Sequence, residues 1–456
     1  MFTDIFAIPE VLLLIADHLS PADLASACCT CRSWFVPFAS QLWRSIEPDQ
    51  WTHGALTIAL PRYSAFIREL RCSRFTRLDA LGPECTHLTL LRAPEVTLDN
   101  LDILQAVVNR NQDVEELWLT FEQSMPAPLE LLGALAGLKK LRRLSIDASW
   151  VASHKHILHL LEHLPGLESL RVELSAMPSL RDTETTLDDR HQNSDELPRQ
   201  HQLQYLSVAG YLHMESIMRD FAFHFPRLKA LMLEGDFENL YSEDAEATHR
   251  LSQEMSTRCP LLTELGFKNA VCLDPQDLWT FLSSVPGLRR LSVCGMNLDD
   301  AQVMHILLVV RAQEPRIWDH IEHIELQCHS LIPPGLEAAI LQTLSAFPML
   351  KSLSLPAATV DADTMAAFIH ARRLQPDFGG EWICKNLEEL DLRLRGSLTG
   401  WFRPGVMEGS VDGEQQEEGL KGDDVQVPAK YKSFDTIVEY LRAQPKLNFQ
   451  SVKFIQ

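Results

Sequence analysis

The sequence lacks any apolar run long enough to cross a membrane. Near the N-terminus the longest such run, VLLLIA at residues 11–16, has six residues, and no basic segment precedes it. A transmembrane helix needs about 20 apolar residues, and a signal peptide needs a basic segment before its apolar one. We therefore expect an intracellular protein, in the cytoplasm, the nucleus or both, with no membrane partner.

Basic residues are also in short supply. The chain has 41 Lys and Arg against 62 Asp and Glu, which gives a net charge of −21. A nucleic-acid-binding protein needs a concentrated basic surface to displace counterions from the phosphates. We therefore expect no nucleic-acid partner. The 456 residues, 46% of them hydrophobic, leave room for several domains or for a long repeat array.

The ten cysteines form neither a compact disulfide framework nor a complete set of metal ligands. Cys28 and Cys31 are spaced C-x-x-C, but no second such pair or His pair follows at the distance that a structural zinc site requires. A redox pair would need an exposed helix start, whereas the apolar spacing puts both thiols in mid-helix on the face of Leu24. We expect these cysteines to pack in a core, with metal or redox chemistry as the alternative.

Nor does the chain carry a recognisable catalytic constellation. His159, Glu162 and His163 match the inverted zinc-protease signature H-x-x-E-H, with His156 one helical turn earlier. A protease would need a third ligand and a closed cleft, yet this helix ends at Pro165 and a repeated strand phrase follows. We expect a protein that is not an enzyme and that has no catalytic residue, metal or cofactor.

A phrase of the form L-x-x-L-x-L recurs from about residue 67 onward. Its last three positions alternate apolar and polar residues, as in a half-buried strand. The copies recur about every 30 residues, and additional copies read IRELRC, CTHLTL and FQSVKF. The middle apolar residues of the clearest copies are Leu117, Leu144, Leu170, Leu206, Leu231, Leu265, Leu291, Ile324, Leu353 and Leu390. Helical patterns lie between the strands, and several end at a proline, which restricts the preceding residue to extended geometry.

This strand–helix unit resembles the leucine-rich repeat. The resemblance implies an α/β fold in which residues 67–456 form a curved solenoid, with parallel strands on the concave face and helices on the convex face. The asparagine that the family has after its last leucine is replaced here, as at Asp236, Ala270 and Met296. Residues 178–202 and 403–430 are polar insertions, which we predict to be solvated loops. Phosphorylation or partner binding in these insertions is the alternative.

The first fifty residues have the pattern of three short helices. Ser20 is placed to cap the second helix, with Pro21 at its first position. The segment resembles the F-box, a short domain by which adaptors dock onto ubiquitin ligases. The matching residues are Ile8, Pro9, Ile15, Leu19, Pro21, Asp23, Leu24, Cys31, Arg32, Trp34, Leu42 and Trp43. The spacing from Pro9 to Ile15 is one residue shorter than usual, and Thr30 replaces a valine. The resemblance assigns residues 5–48 to an F-box and 49–66 to a linker helix region.

An F-box followed by leucine-rich repeats resembles the substrate receptors of SCF (Skp–cullin–F-box) ubiquitin ligases. The resemblance implies docking to a Skp-type linker subunit and, through it, to cullin and RING subunits, with a monomeric receptor in the complex. The candidate docking residues are Ile8, Pro9, Leu13, Ile15, Leu19, Pro21, Leu24, Leu42 and Trp43. The alternative for several of them is that they only hold the three helices together.

Strand alternation predicts which residues face away from the repeat core, where an unknown target protein would bind. The candidates are Trp118, Arg143, Arg171, Tyr205, Met232, Arg290, Glu325, Asp391 and Arg393. Trp118 beside Arg143 and Arg171 is the most suggestive group, since Trp and Arg often dominate binding energy. The alternative is that Trp118 packs beneath the N-terminal linker. The competing functions are a repeat scaffold acting outside any ligase and, more remotely, a zinc hydrolase built on the histidine helix.

Overall fold

A computed structural model of the chain divides it into two compact units. The first contains residues 1–238 and 257–261, and the second contains residues 239–256 and 262–456. The described residues are 8–47, 53–72, 81, 83–121, 129–148, 160–174, 202–210, 225–235, 253–269, 275–296, 298–313, 319–327, 336–361, 386–395 and 453–455. Of the two predicted polar insertions, residues 178–201 and 403–430 lie outside these ranges.

Three helices open the first unit: α1 (Pro9–Ala16), α2 (Pro21–Cys28) and α3 (Arg32–Leu42). The predicted cap of α2 is confirmed, because Ser20 Oγ accepts a hydrogen bond from the Asp23 N–H at 3.3 Å and donates one to the Asp23 carboxylate at 2.6 Å. The helices pack around a common apolar core, formed by Leu12, Ala16, Leu24, Ala27 and Phe38. Burial of these side chains is the main force that holds such short helices together.

Parallel strands follow in the first unit, each paired with the next along the chain. They are β1 (Ser45–Ile46), β2 (Glu69–Arg71), β3 (Leu90–Val96), β4 (Glu116–Phe121), β5 (Arg143–Ala148), β6 (Ser169–Leu174), β7 (Tyr205–Gly210) and β8 (Ala230–Glu234). Between them lie α4 (His53–Tyr63), α5 (Leu101–Arg110) and α6 (Leu129–Ala136), and residues 160–163 are also helical. The first strand thus follows α3 directly, so the three-helix segment continues into the sheet of this unit.

The second unit repeats the same plan. Its parallel strands are β9 (Glu264–Lys268), β10 (Arg290–Cys294), β11 (His323–Gln327), β12 (Ser352–Asp361), β13 (Glu389–Arg395) and β14 (Lys453–Ile455). Its helices are α7 (Pro275–Ser283), α8 (Asp300–Gln313) and α9 (Leu336–Ala346), and α8 packs between the other two. A parallel strand followed by a helix, repeated in each unit, confirms the predicted repeat fold.

The repeat core is made by the apolar positions of the recurring phrase. Around β4, for example, Val114 just before the strand and Leu117 and Leu119 within it are fully buried, whereas the intervening Trp118 is exposed. The ten middle apolar residues of the predicted phrases are likewise fully buried, each with at most 2% of its surface exposed. No single repeat could bury these side chains alone, so each depends on its neighbours for stability.

Backbone hydrogen bonds join consecutive repeats where their strands begin. The Thr89 carbonyl accepts hydrogen bonds from the N–H groups of Glu115 and Glu116 at 2.8 and 3.0 Å, and corresponding carbonyls do the same in later repeats. At the family's asparagine position, Met296 is buried as an apolar residue. A buried amide does occur elsewhere: Asn111, at the end of α5, accepts from the Leu88 N–H and donates to the carbonyls of Cys85 and Val107.

Two local predictions were wrong. Helix α2 ends at Cys28, so Cys31 is not in mid-helix; it precedes α3 and is exposed, while Cys28 packs partly against the core. The phrase CTHLTL is also out of register, because in β3 the buried residues are Leu91 and Ala93 rather than Leu90. Cys85, Leu88 and Leu91 are all buried and are each three residues apart. The first two apolar positions of the phrase can therefore be placed either at Cys85 and Leu88 or at Leu88 and Leu91.

Candidate docking and target-binding surfaces

Part of the predicted docking set is internal. Leu24 lies in the helix core, and Trp43 is 8% exposed because its ring stacks on Tyr63 with 4.4 Å between ring centroids. Ile15, Leu19 and Leu42 are half-buried against the same core. These residues stabilise the three-helix segment, which agrees with the alternative that several candidates hold the helices together.

The remaining candidates, Ile8, Pro9, Leu13 and Pro21, are exposed. Two further apolar residues that the pattern did not include, Leu14 on α1 and Val36 on α3, are 66% and 57% exposed. Leu13 and Leu14 point away from the core because Leu12 and Ala16, one helical turn apart, occupy the buried side of α1. Half of the large apolar side chains that remain exposed among the described residues lie between residues 8 and 36. Such a concentration favours a protein-binding surface over scattered exposure.

In the first unit, the outward-facing residues of the strands form three rows across the sheet. The central row is Arg71, Arg92, Trp118, Ser145, Arg171, Ser207 and Met232. The first row, two residues earlier in each strand, is Glu69, Leu90, Glu116, Arg143, Ser169, Tyr205 and Ala230. The third row, two residues later, includes Thr120, Asp147, Glu173, Ala209 and Glu234.

Trp118 is 39% exposed in the central row, and Arg92 on the preceding strand lies over its ring. The Arg92 guanidinium carbon lies 5.8 Å from the centre of the indole ring, within cation–π distance. On the other side of Trp118 the adjacent strand carries the small Ser145, and Arg171 follows on the next strand. The sequence reasoning missed Arg92 because it placed the β3 phrase in the wrong register.

The two arginines predicted beside Trp118 have different surroundings. Arg143 lies in the first row and forms an ion pair of 2.7 Å with Glu116. Arg171 lies in the central row, and its side chain is 48% exposed with a longer contact of 3.8 Å to Glu234. Exposed pairs of this kind contribute little stability, so Arg171 can exchange its contact for a partner's carboxylate.

The third row of the first unit is acidic. Desolvation, a hydrogen bond to Asp147, and the charges of Asp147 and Glu234 together raise the pKa of Glu173, against a lowering by Arg171. The row is therefore a place where negative charges already repel one another. Tyr205 and Met232, two other target-binding candidates, are half-buried in the first and central rows.

The central row of the second unit has no cationic residue among its described members, which are Gly266, Ser292, Glu325, Ser354 and Asp391. Ser292 donates a hydrogen bond to Glu325 at 3.1 Å. Arg290 lies in the row before it, 3.7 Å from Glu264. The Arg393 side chain lies outside the described part of the structure.

Three of the described thiols, Cys72, Cys85 and Cys259, are buried, and burial raises the pKa of Cys85 to about 11 and of Cys259 to about 12. A hydrogen bond with Ser33 lowers the pKa of the exposed Cys31.

In the histidine helix, Glu162 and His163 are exposed, and His156 and His159 lie outside the described residues. Within the ranges that the structure describes, no cluster of His, Cys, Asp or Glu is arranged to hold a metal ion, and no helix is long and apolar enough to span a bilayer.

Comparison with known proteins assigns residues 9–48 to the F-box-like family. Among solved structures, the chain is similar to the crystal structure of the yeast Rad7 and Elc1 complex, at 16% identity and a TM-score of 0.43, over 87% of this chain and 91% of that one. It is also similar to a Bacteroides fragilis protein, at 10% identity and a TM-score of 0.35, over 63% of this chain and 73% of that one. No curated protein matches the chain. The chain thus contains an F-box-like domain at residues 9–48, which is followed by repeated parallel strands and helices.

Proposed function

We propose that this protein is a substrate-recognition adaptor of an SCF-type ubiquitin ligase. In this role the F-box-like domain docks on a Skp-type linker subunit, which connects it to cullin and RING subunits, and the repeats hold a target protein. The adaptor performs no chemistry itself. Its effect is proximity, because holding the target raises the effective concentration of its lysines near the ubiquitin-charged enzyme. The proposed location is the cytoplasm, the nucleus or both.

The observation that carries this proposal is the exposed apolar surface of an F-box-like domain. Ile8, Leu13, Leu14 and Val36 are each more than a third exposed, although the domain has a complete core beneath them. Burying one such side chain against a partner contributes about 1.5–3 kcal/mol. A linker subunit that covers this surface would therefore gain most of its affinity from these residues.

The first test is co-purification with a Skp-type linker subunit after co-expression. Leu13→Asp should abolish co-purification, because a carboxylate buried in an apolar interface loses its hydration without a partner. Leu13 is 41% exposed, so this substitution leaves the helix core intact. Substitution of the buried Trp43 would unfold the domain and could not separate docking from folding.

The matched control is Ile58→Asp on α4, where the native side chain is 75% exposed and lies outside the F-box-like match. This variant should co-purify like the wild type, and circular dichroism should show equal helix and strand content in all three proteins. If the folded wild-type chain does not bind the linker, the protein is instead a repeat scaffold that acts outside a ligase.

A further inference from the structure

We propose that the central row of the first unit binds an extended segment of the target. This segment carries one acidic residue on each side of an apolar residue. The site consists of Arg92, Trp118, Ser145 and Arg171. This inference rests on the proposed adaptor function, because it specifies the target that the repeats would hold. It goes beyond that function by assigning the chemistry of the bound segment and its position on the sheet.

The two arginines supply cationic ends to the site. Within the described part of the chain, Arg92 forms no ion pair, and its guanidinium lies over the indole of Trp118. Stacking leaves the in-plane N–H donors of a guanidinium free to bind a carboxylate. Arg171, at the other end, forms one ion pair among the described residues, a long 3.8 Å contact to Glu234, and its charge also acts on Glu173. Charge-assisted hydrogen bonds to carboxylates are about twice as strong as neutral ones, so both ends favour an acidic side chain.

The middle of the site favours an apolar side chain. Trp118 is the one large apolar side chain exposed on the strands among the described residues. One face of its indole is covered by Arg92, while the neighbouring position on the next strand is the small Ser145. The short serine leaves room above it for a partner's ring or aliphatic chain to contact the indole. Aromatic pairs of this kind contribute about 0.5–1.5 kcal/mol beyond their buried area.

The spacing of these residues matches an extended peptide that crosses the strands. Neighbouring strands are about 4.8 Å apart, so Arg92 and Arg171, three strand intervals apart in register, are separated by about 14 Å. In an extended chain, residues four positions apart lie about 13 Å from each other on the same face. A segment of the form acid–x–apolar–x–acid would therefore place its carboxylates at the two arginines and its middle residue at Trp118 and Ser145.

The third row disfavours a continuous polyanion. Asp147 and Glu173 lie there beside the same part of the central row, whereas in the first row Glu116 is paired with Arg143. These carboxylates would repel the closely spaced phosphates of a nucleic acid, whereas two separated acidic side chains can each reach one arginine. The charge pattern therefore favours a protein segment. The central row of the second unit, with Glu325 and Asp391 and no described cation, provides no equivalent site.

Fluorescence polarisation with a labelled nine-residue peptide tests the proposal. The peptide has Asp, Phe and Asp at alternate positions among serines and glycines, and the reference peptide has Asn in place of both Asp. We expect the acidic peptide to bind the full chain more tightly than the reference. Arg92→Glu and Arg171→Glu should each weaken its binding about tenfold, and Trp118→Ala should weaken both peptides.

The matched control is Arg142→Glu, since the Arg142 side chain is 62% exposed but precedes β5 and lies outside the central row. It should bind the acidic peptide like the wild type, and binding should weaken as salt increases. Equal affinity for the two peptides, equal losses in Arg142→Glu and Arg171→Glu, or full displacement by a single-stranded oligonucleotide at the same concentration would each overturn the proposal. A chain that binds the linker subunit but not the acidic peptide disproves only this inference, whereas loss of linker binding alone disproves only the ligase role.

Discussion

At the scale of single residues, the carboxylate of Glu173 illustrates how the surface of the sheet balances opposite charges. Arg171 beside it favours the ionised form, but desolvation and the charges of Asp147 and Glu234 outweigh this and raise its pKa above the ordinary value of 4.5. Because the folded state then binds the proton more tightly than the unfolded chain, this group stabilises the fold at low pH. That contribution is lost as the pH rises through the raised pKa.

Glu173→Gln should therefore stabilise the protein at neutral pH. We expect the Tm at pH 7 to rise by about 1–2 °C, because a surface charge effect of this kind contributes less than about 1 kcal/mol to stability. Near pH 4 the gain should shrink, because Glu173 is by then largely protonated in the wild-type protein. Thermal unfolding followed by circular dichroism at both pH values measures the effect, with Glu84→Gln as the exposed control outside the acidic row. A gain that is larger at pH 4 than at pH 7 would contradict the sign of this argument.

Arg92 shows why single residues of the binding surface were hard to predict. Trp118 and Arg171 were correctly expected to face away from the repeat core, because simple strand alternation decides this. Arg92 was missed because the apolar residues around β3 allow two registers. Only the pairing of Arg92 with Trp118 and of Leu91 with Leu117 distinguishes between them.

At the scale of the elements, the ends of β7 and β8 require glycine. Gly235 has φ of +127°, a conformation that residues with a side chain rarely adopt. A Cβ atom at this position would also collide with the backbone of Gly210 at the end of the neighbouring strand. Both the backbone angle and the close approach of the two repeats depend on the missing side chain.

Gly235→Ala should consequently destabilise the protein by roughly 1–3 kcal/mol, through backbone strain and displacement of β8. Chemical denaturation should show a lower midpoint for this variant. Gly166→Ala is the control, since a Cβ atom there would meet its nearest neighbour, the Lys139 carbonyl oxygen, at an ordinary 3.9 Å. Equal midpoints for the two variants would show that the strand ends adjust without cost.

The helices of the F-box-like domain were predicted well because their signals are local. Ser20 caps α2 as expected, and Pro9 and Pro21 begin their helices. The end of α2 was less predictable, because the apolar residues continue in helical spacing past Cys28 while the chain turns at residues 29–30. As a result, Cys31 was expected inside a helix and is instead an exposed residue before α3.

At the scale of the whole molecule, the proposed adaptor separates linker docking from target binding. Leu13 lies in the F-box-like domain, whereas Arg92 lies on the strand face of the repeats. We expect Leu13→Asp to abolish linker co-purification without changing affinity for the acidic peptide. Arg92→Glu should weaken the peptide about tenfold and leave linker co-purification unchanged. Parallel measurement of both activities on both variants checks this, and a variant that loses both without unfolding would show that the two surfaces are coupled.

Local patterning was enough to predict the repeated strand phrase and the three short N-terminal helices, because apolar residues alternate along a strand, recur every three to four residues in a helix, and stop at caps and prolines. The parallel arrangement of the strands and the F-box assignment came from the resemblance to known families. The tertiary structure alone decided that Leu24 and Trp43 are internal while Leu14 and Val36 are exposed. It also decided that Arg92, Trp118, Ser145 and Arg171 lie in one row. Burial and strand register depend on which repeats pack against one another, and contacts between residues far apart in the chain determine both.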